Sequence, residues 1–151
     1  MKRISTIGNL LKKTYRAYSQ ELLNHLLEKG FTDLRPSFLE ILTYIAESEG
    51  ASIKAIGLSC GLKKQTMTSH LNELEERGYV KRKSSEVDKR EQHIFLTPYG
   101  EKFKLNLLQV VNDLEREYSK KIGDVELERI EKMLEKLHRE FSPTTGQQVL
   151  I

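Results

Sequence analysis

Gln65, Thr68, Ser69 and Asn72 fall on one side of a single helix when the chain is read at about 100° per residue. The other side carries Met67, Leu71 and Leu74 at i, i+4, i+7 spacing, a stripe that faces a core. An ordinary solvated face would be mostly Lys and Glu, whereas this one presents short hydrogen-bonding side chains. Charge is also polarised along the helix: Lys63 and Lys64 stand at its start, and Glu73, Glu75 and Glu76 at its end. The helix dipole prefers the reverse. A negative group near the N-terminus explains the inversion, and phosphate is the obvious candidate.

The stretch that follows changes period. Gly78 ends the helix, as a left-handed residue does, and Tyr79 to Lys83 and His93 to Leu96 then read as two short strands. SSEVDKREQ between them is too polar to pack and has the composition of a hairpin tip. Lys81, Arg82, Lys83, Lys89 and Arg90 make this hairpin the most basic part of the chain. A solvated hairpin with ordinary surface charge explains it equally well until it is joined to the helix before it.

The remaining elements must hold this unit. Ile4, Ile7, Leu11, Tyr15, Tyr18, Leu22 and Leu26 form the seam of a first long helix from Ile4 to Lys29, broadened by Leu10, Leu23 and Leu27 and closed by Gly30. Residues 32–36 link it to a core helix carrying Phe38, Leu39, Ile41, Leu42 and Ile45. Pro36 suits that helix's first turn. Ser52 is the N-cap of a short helix through Ile53, Ile56 and Cys60, and Gly61 supplies the turn into Lys63. Helix, turn, helix, hairpin is the winged helix-turn-helix order. Thr97-Pro98 starts a further helix with the stripe Phe103, Leu107, Val110, Val111, Leu114, Tyr118. This breaks at Gly123-Asp124, and a last helix with Leu127, Ile130, Leu134, Leu137 and Phe141 follows. Long amphipathic helices from both ends exceed what one small domain can cover, so a homodimer is the economical expectation.

Composition excludes more than it asserts. The 151 residues suffice for one domain with a core, or a small domain with an oligomerisation arm. The net charge of +3 is too small to prove a nucleic-acid partner, so its placement matters. No apolar run approaches the roughly 20 residues of a membrane helix, and Met1-Lys2-Arg3 opens no signal-peptide core, which leaves a cytoplasmic location by default. Cys60, the single cysteine, permits no intrachain disulfide and reads as a packing residue in LSCGL. His25, His70, His93 and His138 lie on separate elements with no partner ligand at a metal-binding interval. Neither a metal nor a cofactor nor catalysis is expected.

SCGL at the end of the short helix, Thr66-x-Thr68, LEERGYV, the basic strand, Asp88-x-Arg90 and LTPYG, in this order and spacing between Ser52 and Gly100, resemble the MarR family of bacterial transcriptional regulators. The resemblance implies a mainly α (α+β) fold, a winged helix-turn-helix with N- and C-terminal dimerisation helices. Residues 35–97 would form the DNA-binding domain, 1–34 and 98–141 the helical dimerisation region, and 142–151 a loosely ordered tail.

Function implied on this basis is sequence-specific binding of double-stranded DNA by a homodimer, as a repressor on a near-palindromic operator, associated with the nucleoid when bound. Gln65 and Asn72 would read adenine edges from the major groove, with Thr66, Thr68 or Ser69 reaching bases or phosphates. Lys63, Lys64, Lys81 and Lys83, with Lys89 at the tip, would neutralise phosphates. Arg90 would enter the minor groove while Asp88 holds its guanidinium. The chain departs from the family pattern at Lys63, where relatives commonly cap the helix with Asp or Ser, at Ser69, where many have arginine, and at Arg35, where many have Thr. Many relatives release DNA on binding a small aromatic or phenolic effector; Tyr15, Arg16, Tyr18, His25 and Tyr44 are the candidate lining, though each is also explained as core or dimer surface. The competing classes are a winged-helix protein-interaction module and an architectural DNA binder without a specific operator.

Overall fold

The computed structural model describes residues 1–142. Its elements run α1 (Arg3–Glu28), α2 (Pro36–Glu47), β1 (Ala51–Ser52), α3 (Ile53–Cys60), α4 (Lys64–Glu76), β2 (Val80–Ser84), β3 (Gln92–Leu96), α5 (Pro98–Ile122) and α6 (Asp124–Phe141). This is the mainly helical winged helix-turn-helix expected, with one small antiparallel sheet. Of the tail expected over 142–151, all but Ser142 lies outside the described residues. The chain divides into two compact units, one from Met1 to Val110 and one from Val111 onward.

In the first unit the apolar stripes read from the sequence meet. Phe38, Ile41, Leu42 and Ile45 of α2, Ile56 of α3 and Met67, Leu71 and Leu74 of α4 are all buried. Burial of such side chains is worth about 1.5–3 kcal/mol each, which is what fixes α4 on its support. Ser52 caps α3 by accepting from the Ala55 amide at 3.1 Å, and Gly61 ends it at φ 65°. The sheet has the order β1-β3-β2, with Val80 opposite Leu96, Arg82 opposite Ile94, and Ala51 opposite Ile94 on the other edge. The hairpin was legible in the sequence, whereas β1 was not: two residues carry no alternation, and only pairing with β3 makes them a strand.

The link after α1 contributes more than its composition indicates. The Phe31 amide donates to Leu26 O at 3.0 Å across Gly30, which turns the ring inward. Phe31 then meets Phe103 edge-on at 5.6 Å between centroids, and Tyr79 meets Phe103 edge-on at 5.7 Å and Tyr99 at 4.9 Å. Tyr79 is fully buried, and its hydroxyl donates to Asp33 Oδ1 at 2.7 Å. Burial, reinforced by that bond, pushes its phenol well above the ordinary range. Asp33→Ala removes this acceptor and leaves the buried hydroxyl with Tyr99 alone, and is expected to lower stability by about 1–2 kcal/mol in urea unfolding at fixed protein concentration. Asp33→Asn keeps an acceptor oxygen and should recover most of the loss; equal losses in both variants would remove the hydrogen bond from the explanation.

The predicted seam of α1 is divided. Leu22 and Leu26 are buried, but Ile4, Leu11, Tyr15 and Tyr18 are exposed. In the second unit, α5 ends at Gly123 (φ 103°), the Ser119 hydroxyl donates to the Asp124 carboxylate, and α6 begins. Asp124 and Glu126 in its first turn and His138 and Arg139 in its last agree with the helix dipole. No residue of α6 is buried, and Val125, Ile130, Met133, Leu134 and Phe141 are exposed. No helix among the described residues is long and apolar enough to cross a membrane.

Candidate nucleic-acid interface

The polar face of α4 is intact in the fold. Lys64, Gln65, Thr68, Ser69 and Asn72 line one shallow concavity, and Lys63, Lys64, Gln65, Thr66 and Ser69 are exposed. Lys63 occupies the N-cap in extended geometry (φ −69°, ψ 154°) without a side-chain capping bond, as its type predicts. The first-turn amides, which no intrahelical carbonyl satisfies, therefore remain available at a basic helix end. The Thr68 hydroxyl donates to Lys64 O at 2.9 Å, so it meets a partner as an acceptor.

At the other end of α4, Glu73 and Glu75 are answered from within the protein. Glu73 pairs with Arg35 at 3.1 Å and with Arg77 at 3.3 Å, and Glu75 lies 3.6 Å from Arg82 Nε. Arg35 and Arg77 also sit over the Phe38 ring, at 4.1 and 5.3 Å from its centroid, and Arg77 donates to Asp33 O. These pairs are half-exposed and individually worth little. Together they account for Arg35, and for Glu73 and Glu75 standing where the dipole disfavours them. The anion inferred from the charge inversion is needed only at the lysine end.

Alternation along β2 sorts the basic strand. Val80 is buried and Arg82 half-buried, while Lys81 and Lys83 are exposed on the opposite face of the sheet. Lys83 Nζ lies over Phe95, 5.1 Å from its centroid. By charge alone Lys81 and Lys83 belong with the helix lysines, and Arg82 has no particular role. The fold turns Arg82 toward α4, where it donates to Asn72 Oδ1, and sets the two lysines on the flank. The alternation was the signal available for this.

The hairpin tip is an ordered turn. Ser85 Oγ accepts from the amides of Val87 and Asp88 at 3.2 and 3.4 Å, and Asp88 Oδ1 accepts from the Arg90 amide at 3.0 Å. Asp88 thus shapes the backbone that presents Arg90, a different bond from the expected grip on the guanidinium. Lys89 and Arg90 are exposed at the tip.

The candidate effector residues are brought together only in part. Tyr15 and Tyr18 are neighbours with centroids 6.3 Å apart, each about half exposed. Burial, with Tyr15 and Glu47 nearby, raises the Tyr18 phenol. His25 and Tyr44 are half-buried. Arg16 is exposed on another side of α1, roughly 160° around from Tyr18 by helix geometry.

Two of the histidines and the cysteine are engaged within the fold. His93 Nδ1 is 2.6 Å from Gly50 O, and His70 meets Phe38 edge-on at 5.2 Å. No cluster among the described residues could hold a metal ion. Cys60 is half-buried; burial first, and then Glu40, push its thiol up to about 11. At pH 8 its thiolate fraction is roughly a hundredfold below that of an ordinary cysteine. Alkylation by a maleimide should be slower by about that factor in the folded protein and rise to the ordinary rate in urea. A folded-state rate matching free cysteine would show the thiol to be reactive.

A helix-turn-helix carrying a polar, basic-ended second helix and followed by a basic hairpin defines a winged helix-turn-helix protein. Residues 32–91 match the model of the MarR family. That match covers most of the segment whose motif order carries the resemblance. Among curated relatives it is similar to a protein assigned to transcriptional regulation of the hcr operon in Thauera aromatica, at 27% identity over 109 residues, 72% of this chain and 66% of that one. It is also similar to the HTH-type transcriptional regulator TtmR of Methylorubrum extorquens, at 38% identity over 85 residues, 56% of this chain and 40% of that one. The chain therefore spans less than two thirds of either relative. These relatives are regulators rather than enzymes. In fold it is similar to MarR from E. coli solved with operator DNA, with a TM-score of 0.75, 22% identity, and 89% of this chain and 94% of that one covered.

Proposed function

We propose that the protein is a transcriptional regulator that binds double-stranded DNA sequence-specifically as a homodimer, acting as a repressor on a near-palindromic operator. The observation that carries this is the α4 face. An uncapped basic helix end opens onto Gln65, Thr68, Ser69 and Asn72, which line one surface while the other side of the helix is buried. Such a helix end fits the major groove, its lysines and amides meeting phosphates and its amide side chains meeting base edges. Residues 35–97 carry this contact; Lys81, Lys83 and Lys89 supply flanking phosphate attraction, and Arg90 enters the minor groove from a tip that Asp88 shapes.

Residues 1–34 and 98–141 serve dimerisation. The apolar side chains left uncovered on α1 (Ile4, Leu11, Tyr15) and on α6 (Val125, Ile130, Met133, Phe141) support a second copy. Two α4 helices related by a twofold axis would demand half-sites about one helical turn apart. Release by a small aromatic or phenolic effector held near Tyr15, Tyr18, His25 and Tyr44 completes the reading, with the protein acting in the cytoplasm, on the nucleoid.

Selection of binding sites from a random duplex pool at two salt concentrations tests the core of this. A near-palindromic consensus is the expected result. Enrichment without a consensus that collapses as salt rises would reduce the interaction to phosphate attraction, and the architectural or protein-docking class would replace the regulator.

A further inference from the structure

Asn72 was grouped with Gln65 as a reader of adenine, but its surroundings give it a different edge. Arg82 enters from β2 with 19% of its side chain exposed, and both terminal nitrogens of its guanidinium are hydrogen-bonded while the buried Nε has an ion-pair contact only. Nε lies 3.6 Å from Glu75 Oε2, Nη1 donates to Gln92 Oε1 at 3.4 Å, and Nη2 donates to Asn72 Oδ1. A guanidinium has five N–H donors and no acceptor, so an amide that faces it must turn its oxygen toward it. The flip state of Asn72 is thereby fixed: oxygen on Arg82, nitrogen outward into the concavity it shares with Gln65, Thr68 and Ser69. Gln92, by its hydrogen bond, and Glu75, by charge, flank the guanidinium on its other sides.

Bidentate recognition of adenine requires an amide oxygen for the N6 amino group and an amide nitrogen for N7, side by side. Asn72 offers the groove only the second. We propose that Arg82 is a positioning residue for specificity, which makes Asn72 a donor-only probe. It then favours keto bases, guanine through O6 or thymine through O4, over adenine, where N7 is the one acceptor and the N6 donor beside it is left unmet, and disfavours cytosine, whose N4 donor would face another donor. Gln65, which has no such neighbour, remains the amide able to read adenine. This rests on the DNA-binding reading above and assigns the chemistry of one position within it.

The test is base preference position by position, from random-pool selection with the full chain and with the variants Arg82→Met and Asn72→Ala. With the unaltered protein, one symmetric pair of positions should favour guanine or thymine. Asn72→Ala should erase the preference there and nowhere else. Arg82→Met, which keeps a long side chain and removes the donors, frees the amide to flip. It should move that same pair toward adenine by about tenfold, the size of one base contact, with the other positions unchanged. Those unchanged positions report that the variant is folded. A uniform loss of affinity from Arg82→Met with the same base order would make Arg82 a structural residue only. A uniform loss from Asn72→Ala would place its donor on a phosphate oxygen. Either result overturns the proposal while leaving the regulator reading in place. Absence of any consensus with the unaltered protein would overturn both.

Discussion

Replacing Gly100 by alanine is expected to destabilise the fold by about 3 kcal/mol or more, at the upper end of what one added methyl group does in a packed site. Gly100 sits in the first turn of α5, where a Cβ would stand 2.2 Å from the Tyr79 carbonyl oxygen and 3.1 Å from two atoms of Leu96. The first of these is backbone and cannot rotate away. Thr97 locks the approach: its hydroxyl bonds to Gly78 O and, at 3.2 Å, to Tyr79 O, and accepts from the Gly100 amide at 3.0 Å. Any movement that relieves the clash breaks this cap and disturbs the Tyr79, Tyr99 and Phe103 packing below it. Gly8 is the control. It is helical with nothing within 4 Å of its Cβ position, so Gly8→Ala should stabilise by up to about 1 kcal/mol. Urea midpoints at one protein concentration compare the two. Equal midpoints for both variants would mean that α5 shifts freely against Tyr79 and β3, contrary to the closeness of that contact.

Arg90→Ala is expected to have the largest effect on operator binding, raising Kd by about a hundredfold at physiological salt while leaving dimer mass and unfolding unchanged. In the proposed dimer the tip occurs twice, and each arginine in a narrow minor groove would contribute on the order of 1–1.5 kcal/mol, through electrostatic attraction to the groove. The side chain is exposed and supports no core residue, so loss of binding cannot be a folding defect. Asp88→Ala should give a smaller loss, because it removes the 3.0 Å bond that shapes the Arg90 backbone without removing the charge. Fluorescence anisotropy on the selected operator at two salt concentrations measures both. Full affinity in Arg90→Ala would exclude the tip from the interface, and a loss from Asp88→Ala as large as that from Arg90→Ala would show the turn itself to be the contact.

Much of the candidate site was legible before any coordinates. The stripe of Met67, Leu71 and Leu74 fixes which side of α4 is buried and hence which residues are presented, because helix period leaves no choice. The Lys63 start was recognisable as uncapped from residue type alone. The acidic end has its own explanation: Arg77 at the helix's C-cap, and Arg35 and Arg82 from two other segments, reach Glu73 and Glu75. The sequence places Arg35 far from Glu73, and only the docking of the α1–α2 link against α4 joins them.

What the sequence alone determined was local: helix faces, the Ser52 and Thr97 caps, the glycine ends, the hairpin, and the family motif from Ser52 to Gly100. Each depends on neighbours within a turn or a strand pair, where periodicity and backbone sterics dominate. Tertiary structure alone decided that Phe31 joins the core, that Ala51–Ser52 becomes a strand, that Asp33 receives the Tyr79 hydroxyl, and that Arg82 rather than Lys81 or Lys83 reaches Asn72. Those outcomes depend on which surfaces are brought together across distant segments. Desolvation then makes the partner of each buried donor obligatory, and no local pattern encodes which partner that will be.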